Sequence, residues 1–296
     1  MPNLTESSQP VVQGTTEAEL EAFRQRVAEL EHKRALIPRR SKWYCDRPDC
    51  DGKPHGDWVE KHARAAQRPP ERFRDGVARI WLYMGGRGTG KTRSGSEWLA
   101  HNAARSPRTE WAVMAPTFKD LREVCVEGES GLREALHNAG VEHTYNRSNL
   151  EITLGNGTLI RAYSAETPER VRGPNLSGAW LDEIAQSTSR YPEAYKNLSM
   201  AIRRRDSSAQ IMATTTPAMV SLVKEFADRD DGSVVITRGT TFDNRDNLSE
   251  AFIAEIEIRF KGTRFERQEL YGELLEDVPG ALWTPGVLEA GRVTLV

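Results

Sequence analysis

The feature that most constrains the fold of this chain is a glycine-rich segment at residues 85–92, with the sequence GGRGTGKT. An apolar, β-prone run precedes it at residues 77–84, and a helix-compatible stretch follows it. The segment fits the pattern G-x-x-x-x-G-K-[ST], which binds phosphate groups when it joins a strand to a helix. A surface turn could match the pattern by chance, but the flanking strand and helix argue against that alternative. The segment therefore predicts a nucleotide site.

The residue types in this segment suit phosphate for physical reasons. Glycine lets the backbone curl until several N–H groups point at one anion, and the positive end of the following helix dipole faces the same anion. Lys91 can reach the β- and γ-phosphates, and the hydroxyl of Thr92 can ligate Mg²⁺. The predicted nucleotide-binding residues of the segment are Gly85, Gly86, Arg87, Gly88, Thr89, Gly90, Lys91 and Thr92.

A second candidate feature is an acidic pair, Asp182 and Glu183, directly after an apolar run at residues 179–181. An acidic pair at a strand end is common and is usually solvated. Downstream of a phosphate-binding loop, however, the first carboxylate can hold Mg²⁺ and the second can orient and deprotonate an attacking water. We therefore predict that Asp182 is a metal ligand and that Glu183 is a catalytic base.

Gln67 lies in a polar stretch upstream of the glycine-rich segment. A glutamine amide offers a donor and an acceptor together, which matches the edge of adenine. Alone, Gln67 would be interpreted as a surface residue. The phosphate-binding pattern that follows makes it a candidate for contact with the base.

Strand-like and helix-like segments alternate along the rest of the chain. This alternation predicts an α/β fold of the P-loop NTPase type, with a largely parallel sheet flanked by helices on both faces, over residues 61–278. The predicted helices lie at residues 91–105, from 117, at 192–204, from 250 and at about 263–275. The predicted strands lie at residues 111–115, 179–181, 210–214 and 234–237, with a hairpin at 150–163.

Residues 1–60 are predicted to form an N-terminal extension with a disordered start and a helix at about residues 16–37. Two cysteines and two histidines follow at spacings that could ligate one structural Zn²⁺. The usual C-x-x-C pair is absent, and a reduced loop with two buried thiols and two solvated imidazoles fits equally well. The candidate zinc ligands are Cys45, Cys50, His55 and His62. Residues 279–296 are predicted to be a tail or linker.

Composition leaves the class of partner open. The 296 residues carry a net charge of −2, so no overall basic field attracts nucleic acid. Any DNA contact must then come from local Lys/Arg clusters or from assembly around the DNA. Three cysteines do not make a disulfide scaffold, which favours a reducing cytoplasm. No apolar run approaches the length of a membrane span, so we expect no membrane partner.

Taken together, these motifs resemble the ATPase half of the large terminase subunit, the DNA-packaging motor of tailed bacteriophages. The motifs are MGGRGTGKTRSG at residues 84–95, SAETPERVRGP at 164–174, GAWLDE at 178–183 and TTTP at 214–217. GELLE at residues 272–276, followed by GALWT, also resembles the family's exit from its ATPase domain. Each motif alone also occurs in helicases, so the resemblance is specific only for the motifs taken together.

The resemblance implies ATP hydrolysis coupled to sequence-independent translocation of double-stranded DNA into a procapsid. It further implies ATP and Mg²⁺ as ligands and a homo-oligomeric ring of about five subunits on a portal. A small terminase subunit would be a second protein partner, and the site of action would be the host cytoplasm, at the procapsid.

The resemblance also implies roles for individual residues. It agrees with the roles given above to Lys91, Thr92, Asp182 and Glu183, and it places Gln67 where the family contacts adenine. The motif that couples hydrolysis to movement falls on Thr214, Thr215 and Thr216.

Arg172 falls in the loop where the family supplies an arginine finger to the ATP of a neighbouring subunit. An inserted guanidinium that stabilises charge on the transferring phosphoryl group is worth about 10³–10⁵ in rate. Arg170 and Arg87 are rival candidates. An ordinary surface arginine is the alternative interpretation for all three.

Large terminases also carry a C-terminal nuclease domain, which needs on the order of 150 residues. Only a short tail follows Leu275, so we expect ATPase activity without DNA cleavage. The alternatives are a helicase-like or strand-exchange DNA-dependent ATPase, a small-molecule kinase and a non-hydrolysing nucleotide-dependent scaffold. A two-lobed helicase needs a second motor lobe that this length does not supply, and the intact Lys91, Asp182 and Glu183 argue against a scaffold.

Overall fold

The computed structural model describes residues 67–186, 190–205 and 209–275 of this protein. The predicted N-terminal extension (residues 1–60) and the predicted tail (residues 279–296) lie outside the described residues. Within the described ranges, no helix is both long and apolar enough to cross a membrane.

Eight strands form a single sheet in the described part of the chain. They are β1 (Ile80–Gly85), β2 (Glu110–Ala115), β3 (His143–Asn146), β4 (Glu151–Leu154), β5 (Leu159–Ser164), β6 (Gly178–Leu181), β7 (Gln210–Thr215) and β8 (Val234–Gly239). Their spatial order is β3-β4-β5-β2-β6-β7-β1-β8. The strands from β5 to β8 in this order are parallel, and β3 and β4 add an antiparallel edge. The prediction of a largely parallel sheet is therefore confirmed.

The helices connect these strands. They are α1 (Glu71–Arg74), α2 (Lys91–Arg105), α3 (Phe118–Asp120), α4 (Leu132–Asn138), α5 (Tyr191–Ala201), α6 (Ser221–Ala227), α7 (Glu250–Phe260) and α8 (Arg264–Glu269). A π-helix (Leu121–Val126) continues α3, and 3₁₀ helices span Pro168–Val171 and Thr241–Asn247. Thr117 and Ser249 cap α3 and α7, since each side chain accepts a hydrogen bond from a backbone N–H in the first turn.

The alternation of side chains along the strands produces a core on each face of the sheet. On β1, Ile80, Leu82 and Met84 pack into the core that α5 and α6 cover. Trp81 and Tyr83 point to the opposite core, which α2 and α4 cover. Helices on both faces of the sheet, as predicted, therefore bury the side chains of β1 on both sides.

Two predicted helix ends are wrong. The helix predicted at residues 192–204 ends at Ala201, and Ile202 instead forms an isolated parallel bridge with Leu176. The helix predicted at about residues 263–275 ends at Glu269. The bridge with Leu176 ends the helix at Ala201. The helix at Glu269 ends where the backbone carbonyls of Glu269 and Leu270 accept hydrogen bonds from Arg87 and Thr241.

Two elements were not predicted from the sequence. The first is the 3₁₀ helix Pro168–Val171, in the segment before β6. The edge strand β3, which reads HTYN, was not predicted, because its residues are only half-buried or exposed and lack an apolar face.

Candidate active site

An open cleft of about 1140 Å³ lies at the carboxyl ends of the parallel strands. Its walls include the glycine-rich loop (residues 85–92) after β1, Glu183 after β6 and Thr216 after β7. Ligands of open α/β sheets bind at this edge, where loops leave the strand ends. The two features that the sequence singled out thus meet in one cleft.

The glycine-rich loop joins β1 directly to α2. Gly88 and Gly90 have φ values of 72° and 80°, a left-handed conformation that glycine adopts without steric cost. A Cβ atom on Gly90 would also lie 2.3 Å from Nε2 of Gln67. Position 90 therefore requires glycine for two reasons, the left-handed backbone of the turn and the close approach of Gln67.

The loop offers a row of unsatisfied backbone donors to the cleft. Within the described part of the chain, no acceptor binds the N–H groups of Gly88, Thr89, Gly90, Lys91 and Thr92. The last two belong to the first turn of α2, where the helix dipole is positive. Unsatisfied donors beside a helix N-terminus fit a phosphate group.

Lys91 folds back onto the loop. Its Nζ donates to the carbonyl oxygens of Gly85 and Gly86, each at 2.9 Å. Burial lowers the pKa of Lys91, and the charges of Glu183 and Asp182 oppose that shift. The lysine and the acidic pair therefore share one electrostatic site, although different strands carry them.

The sheet register explains why the acidic pair meets the three threonines. Strand β7 lies between β6 and β1, and Leu181 of β6 pairs with Ala213 of β7. Asp182 and Glu183 therefore leave the sheet beside Thr214 and Thr215, at the same edge as the glycine-rich loop.

Asp182 is buried, with 7% of its surface exposed. The Thr214 hydroxyl donates to its Oδ1 at 2.6 Å, and the Cys125 thiol donates to its Oδ2 at 3.5 Å. Burial raises the pKa of Asp182 to about 6; the Thr214 hydrogen bond opposes this shift and the charge of Glu183 adds to it. A cation nearby would favour the ionised carboxylate.

Glu183 has a φ of 48°, a left-handed conformation that costs a non-glycine residue roughly 1–2 kcal/mol. Its Oε1 accepts a hydrogen bond from the backbone N–H of Thr216 at 2.9 Å. The hydroxyl of Thr215 lies 3.3 Å from the same oxygen and can give its one proton either to it or to the carbonyl oxygen of Thr216 at 2.9 Å. Each of the three threonines predicted to couple hydrolysis to movement therefore contacts one of the two carboxylates, directly through its side chain or backbone.

Gln67 is buried at the cleft, with 2% of its surface exposed. Its Nε2 donates to the carbonyl oxygen of Thr89 at 2.8 Å. The structure thus brings Gln67 against the glycine-rich loop, although 22 positions separate it from Thr89.

The three candidate arginines lie in different places. Arg87 lines the cleft, and its Nε donates to Glu269 at 2.8 Å. Arg172 and Arg170 are exposed and do not line this cleft. The Nε of Arg172 makes a long contact of 3.4 Å with Oδ1 of Asn197.

Other walls of the cleft were not predicted from the sequence. They come from the 3₁₀ helix Thr241–Asn247, from the α7 region and from α8, and they include Asn244, Asn247, Leu248, Phe252 and Glu269. Only the tertiary fold brings these residues to the loop, so no local pattern could have pointed to them.

The candidate zinc ligands Cys45, Cys50, His55 and His62 lie outside the described residues. Among the residues that the structure does describe, no group of three or more His, Cys, Asp or Glu side chains is placed to hold a metal ion. The zinc site therefore stays a prediction.

Residues 82–286 match the family described as terminase large subunit, T4likevirus-type, N-terminal. This match covers more than half of the chain. No curated protein sequence matches it.

The fold is similar to those of solved large terminases. The large terminase of the thermophilic bacteriophage D6E, in complex with ADP, has a TM-score of 0.58 and 18% identity, over 71% of this chain and 52% of that chain. The large terminase ATPase domain of Thermus phage P74-26 has a TM-score of 0.53 and 16% identity, over 70% of this chain and 99% of that one. The HK97 bacteriophage large terminase has a TM-score of 0.52 and 15% identity, over 82% of this chain and 55% of that one. The chain thus spans about half the length of the D6E and HK97 proteins.

Proposed function

Since this chain belongs to the family of terminase large subunits of the T4-like-virus type, N-terminal region, we propose that it hydrolyses ATP to drive viral double-stranded DNA into a procapsid. The observation that carries the proposal is the meeting of Lys91, Thr92 and Glu183 in one cleft, with Asp182 beside them. The D6E large terminase has been solved with ADP and with ATP-gamma-S, which supports a nucleotide in this cleft.

The glycine-rich loop is proposed to bind the phosphates. Its unsatisfied N–H groups need an acceptor, and among the described residues Lys91 donates only to the neutral carbonyls of Gly85 and Gly86. An ionised phosphate oxygen carries a negative charge that a carbonyl oxygen lacks, so it attracts the ammonium group of Lys91 more strongly. Exchange of these carbonyls for phosphate oxygens would therefore favour nucleotide binding.

The residues present also fit a Mg²⁺ ion. The ion prefers oxygen ligands and usually keeps several waters, so one or two protein oxygens beside a triphosphate suffice. The Thr92 hydroxyl and the Asp182 carboxylate would supply them, and Thr214 holds Asp182 in position. When bound, Mg²⁺ neutralises charge that develops on the phosphate oxygens.

Glu183 is proposed as the base that orients and deprotonates water. The N–H of Thr216 donates to its Oε1, and the hydroxyl of Thr215 lies 3.3 Å from the same oxygen. Among the described residues, no hydrogen bond engages Oε2, so this oxygen is available to a water in the cleft. A positioned base contributes about 10²–10⁴ in rate.

Thr214, Thr215 and Thr216 are proposed to couple hydrolysis to movement. Their contacts with Asp182 and Glu183 support this role, because a change in either carboxylate must alter the hydrogen bonds at the end of β7.

Gln67 is proposed to contact adenine, since it lines the same cleft as the phosphate-binding loop. Arg172 is proposed as the arginine finger. Because it lies outside the cleft of its own chain, it would act on the nucleotide of a neighbouring subunit. Arg170 is an alternative arginine finger, because it too is exposed outside the cleft. Arg87 is a further alternative, but it lines the cleft of its own chain and pairs with Glu269.

The proposed partners follow from the proposed function. They are double-stranded DNA bound without sequence preference, a homo-oligomeric ring of about five subunits, a portal and a small terminase subunit. The site of action would be the procapsid in the host cytoplasm. DNA association should weaken steeply with salt, because phosphate contacts release counterions.

Steady-state ATP hydrolysis with and without double-stranded DNA tests the proposal. Glu183→Gln should bind ATP normally but turn it over at least about a hundredfold more slowly, because the amide keeps the contact with Thr216 and cannot take a proton. Glu193→Gln, the same change at an exposed position on α5, is the matched control and should keep the wild-type rate.

Near-normal turnover by Glu183→Gln would remove this residue from the role of base. Stimulation by single-stranded but not double-stranded DNA would favour a helicase-like or strand-exchange ATPase. Transfer of the phosphoryl group to an acceptor other than water would favour a small-molecule kinase.

A further inference from the structure

Side chains from a distant part of the chain hold the outer side of the glycine-rich loop. The hydroxyl of Thr241 donates to the carbonyl oxygen of Arg87 at 2.7 Å. The Nδ2 of Asn244 donates to the carbonyl oxygen of Gly88 at 2.6 Å. Both donors belong to the 3₁₀ helix Thr241–Asn247, more than 150 positions after the loop.

The next carbonyl of the loop is held in the same way. The oxygen of Thr89 accepts from Nε2 of Gln67 at 2.8 Å and from the hydroxyl of Tyr83 at 3.0 Å. Three successive carbonyl groups, at residues 87, 88 and 89, therefore each have a side-chain donor.

The orientation of these carbonyls fixes the orientation of the N–H groups. Because a trans peptide unit is planar, the C=O of one residue and the N–H of the next point in opposite directions. Donors that hold the carbonyls of Arg87, Gly88 and Thr89 thus direct the N–H groups of Gly88, Thr89 and Gly90 to the other side. Those are N–H groups without an acceptor in the described part of the chain.

Thr241 and Asn244 are themselves fixed. Their exposed fractions are 0% and 7%, so neither polar group can turn to bulk water. A capping box between Thr240 and Asp243 holds the start of their 3₁₀ helix, and Oδ1 of Asn244 accepts a hydrogen bond from Asn247 at 2.7 Å. The donors therefore reach the loop from a rigid element.

Two glycines of the loop, Gly86 and Gly88, lie directly against the segment that carries these donors. A Cβ atom on Gly86 would lie 2.4 Å from the carbonyl oxygen of Glu269 and 2.9 Å from Oγ1 of Thr241. A Cβ on Gly88 would lie 2.9 Å from Leu248. These two glycines therefore allow residues 241–270 to approach the loop backbone, independently of any phosphate.

We propose that Thr241 and Asn244 are positioning residues of the nucleotide site, which hold the glycine-rich loop in its phosphate-binding shape. The inference rests on the proposed function, because it takes the cleft to bind nucleoside phosphates. A loop held in its bound conformation does not have to be ordered when the ligand binds, and this raises affinity. Loss of either donor should weaken the part of binding that depends on phosphate.

Thr241→Val, which removes the hydroxyl but keeps the shape, tests the proposal in the full chain. Competition against a fluorescent ATP analogue should show ADP bound about tenfold more weakly, because one carbonyl loses its buried donor. Adenosine, which has no phosphate, should bind as it does to the wild type. Thr241→Ser keeps the hydroxyl and should restore ADP affinity.

Thr158→Val is the matched control. Thr158 is a fully buried threonine whose hydroxyl donates to the carbonyl oxygen of Ser106, away from the cleft. Its replacement should lower the melting temperature and leave ADP affinity unchanged. Asn244→Leu is a second variant that removes the other donor, and it should also weaken ADP but not adenosine.

The outcomes separate the two hypotheses. If the wild type binds no ADP, the proposed function and this inference both fail. If the wild type binds ADP and both Thr241→Val and Asn244→Leu bind it within twofold of the wild type, only the positioning role fails. Equal weakening of ADP and adenosine, or an equal loss in Thr158→Val, would also overturn the positioning role.

Discussion

Replacement of Gly95 by alanine tests how α2 packs on the sheet beside the site. An added Cβ would lie 2.1 Å from Nε1 of Trp180, whose side chain is fully buried. That Nε1 donates to Oγ1 of Thr214 at 3.1 Å, and the same hydroxyl donates to Asp182. The methyl group must therefore displace either the helix or the indole that supports Thr214.

The magnitude follows from three contributions. Overpacking of a core costs about 1–3 kcal/mol, and loss of the indole hydrogen bond adds about 1 kcal/mol. The better helix propensity of alanine offsets about 1 kcal/mol of this cost in the free energy of unfolding. We therefore expect Gly95→Ala to lower the free energy of unfolding by about 1–3 kcal/mol. At about 2–4 °C per kcal/mol, this corresponds to a melting temperature lower by roughly 2–12 °C.

Thermal unfolding followed by circular dichroism measures the effect. Asn102→Ala is the control, since Asn102 lies on the same helix and its Nδ2 donates to the carbonyl oxygen of Trp98 within that helix. It should change the melting temperature by much less than Gly95→Ala. A melting temperature of Gly95→Ala equal to or above that of the wild type would show that helix propensity outweighs the contact with Trp180, and would refute the reasoning.

Three further predictions concern the arginine finger, acid stability and zinc. Arg172→Ala should bind ATP normally and fail to hydrolyse it, and mixing it with Lys91→Ala protein should restore some activity; the absence of rescue at any ratio would count against action between subunits. The contribution of His101 to stability should be lost between pH 6.5 and 4, because burial lowers the pKa of His101 to about 4, so that the unfolded chain takes up the proton first; Asp182, whose pKa burial raises to about 6, acts in the opposite direction. Denaturation curves should show that His101→Gln removes this loss, which is up to about 3 kcal/mol; an unchanged pH dependence would contradict the assignment. Metal analysis of protein purified without chelator tests the zinc site, and a lack of stoichiometric zinc would exclude it.

The sequence was most informative where a short segment alone dictates local structure. The pattern at residues 85–92 requires a strand before it and a helix after it, and the structure has β1 and α2 at those places. The acidic pair after β6 was identifiable because an apolar strand that ends in two carboxylates is a local signal. Because β1 and β6 are parallel strands of one sheet, both features lie at the same edge.

The remaining contacts depend on residues far apart in the chain, so local patterns do not reveal them. Nothing in the sequence around Thr241 or Asn244 indicates that each donates to the glycine-rich loop. Gly95 looks like an unfavourable residue inside a helix until Trp180 is seen to occupy the space of its missing side chain. Such residues look ordinary or unfavourable locally, and the tertiary fold supplies the reason for them.

Strand order carries information that chain order does not. Strand β7 comes late in the chain, yet it lies between β1 and β6 and pairs with both. The threonines at the end of β7 therefore lie between two features. The acidic pair follows the neighbouring strand β6, and the glycine-rich loop follows the neighbouring strand β1. Because a hydroxyl has a single proton, Thr214 can donate to only one of the two oxygens near it, Oδ1 of Asp182 at 2.6 Å or the carbonyl oxygen of Leu181 at 3.2 Å. The hydrogen bonding at the end of β7 must therefore depend on the position and charge of Asp182, which is the physical requirement for the coupling role proposed for this strand.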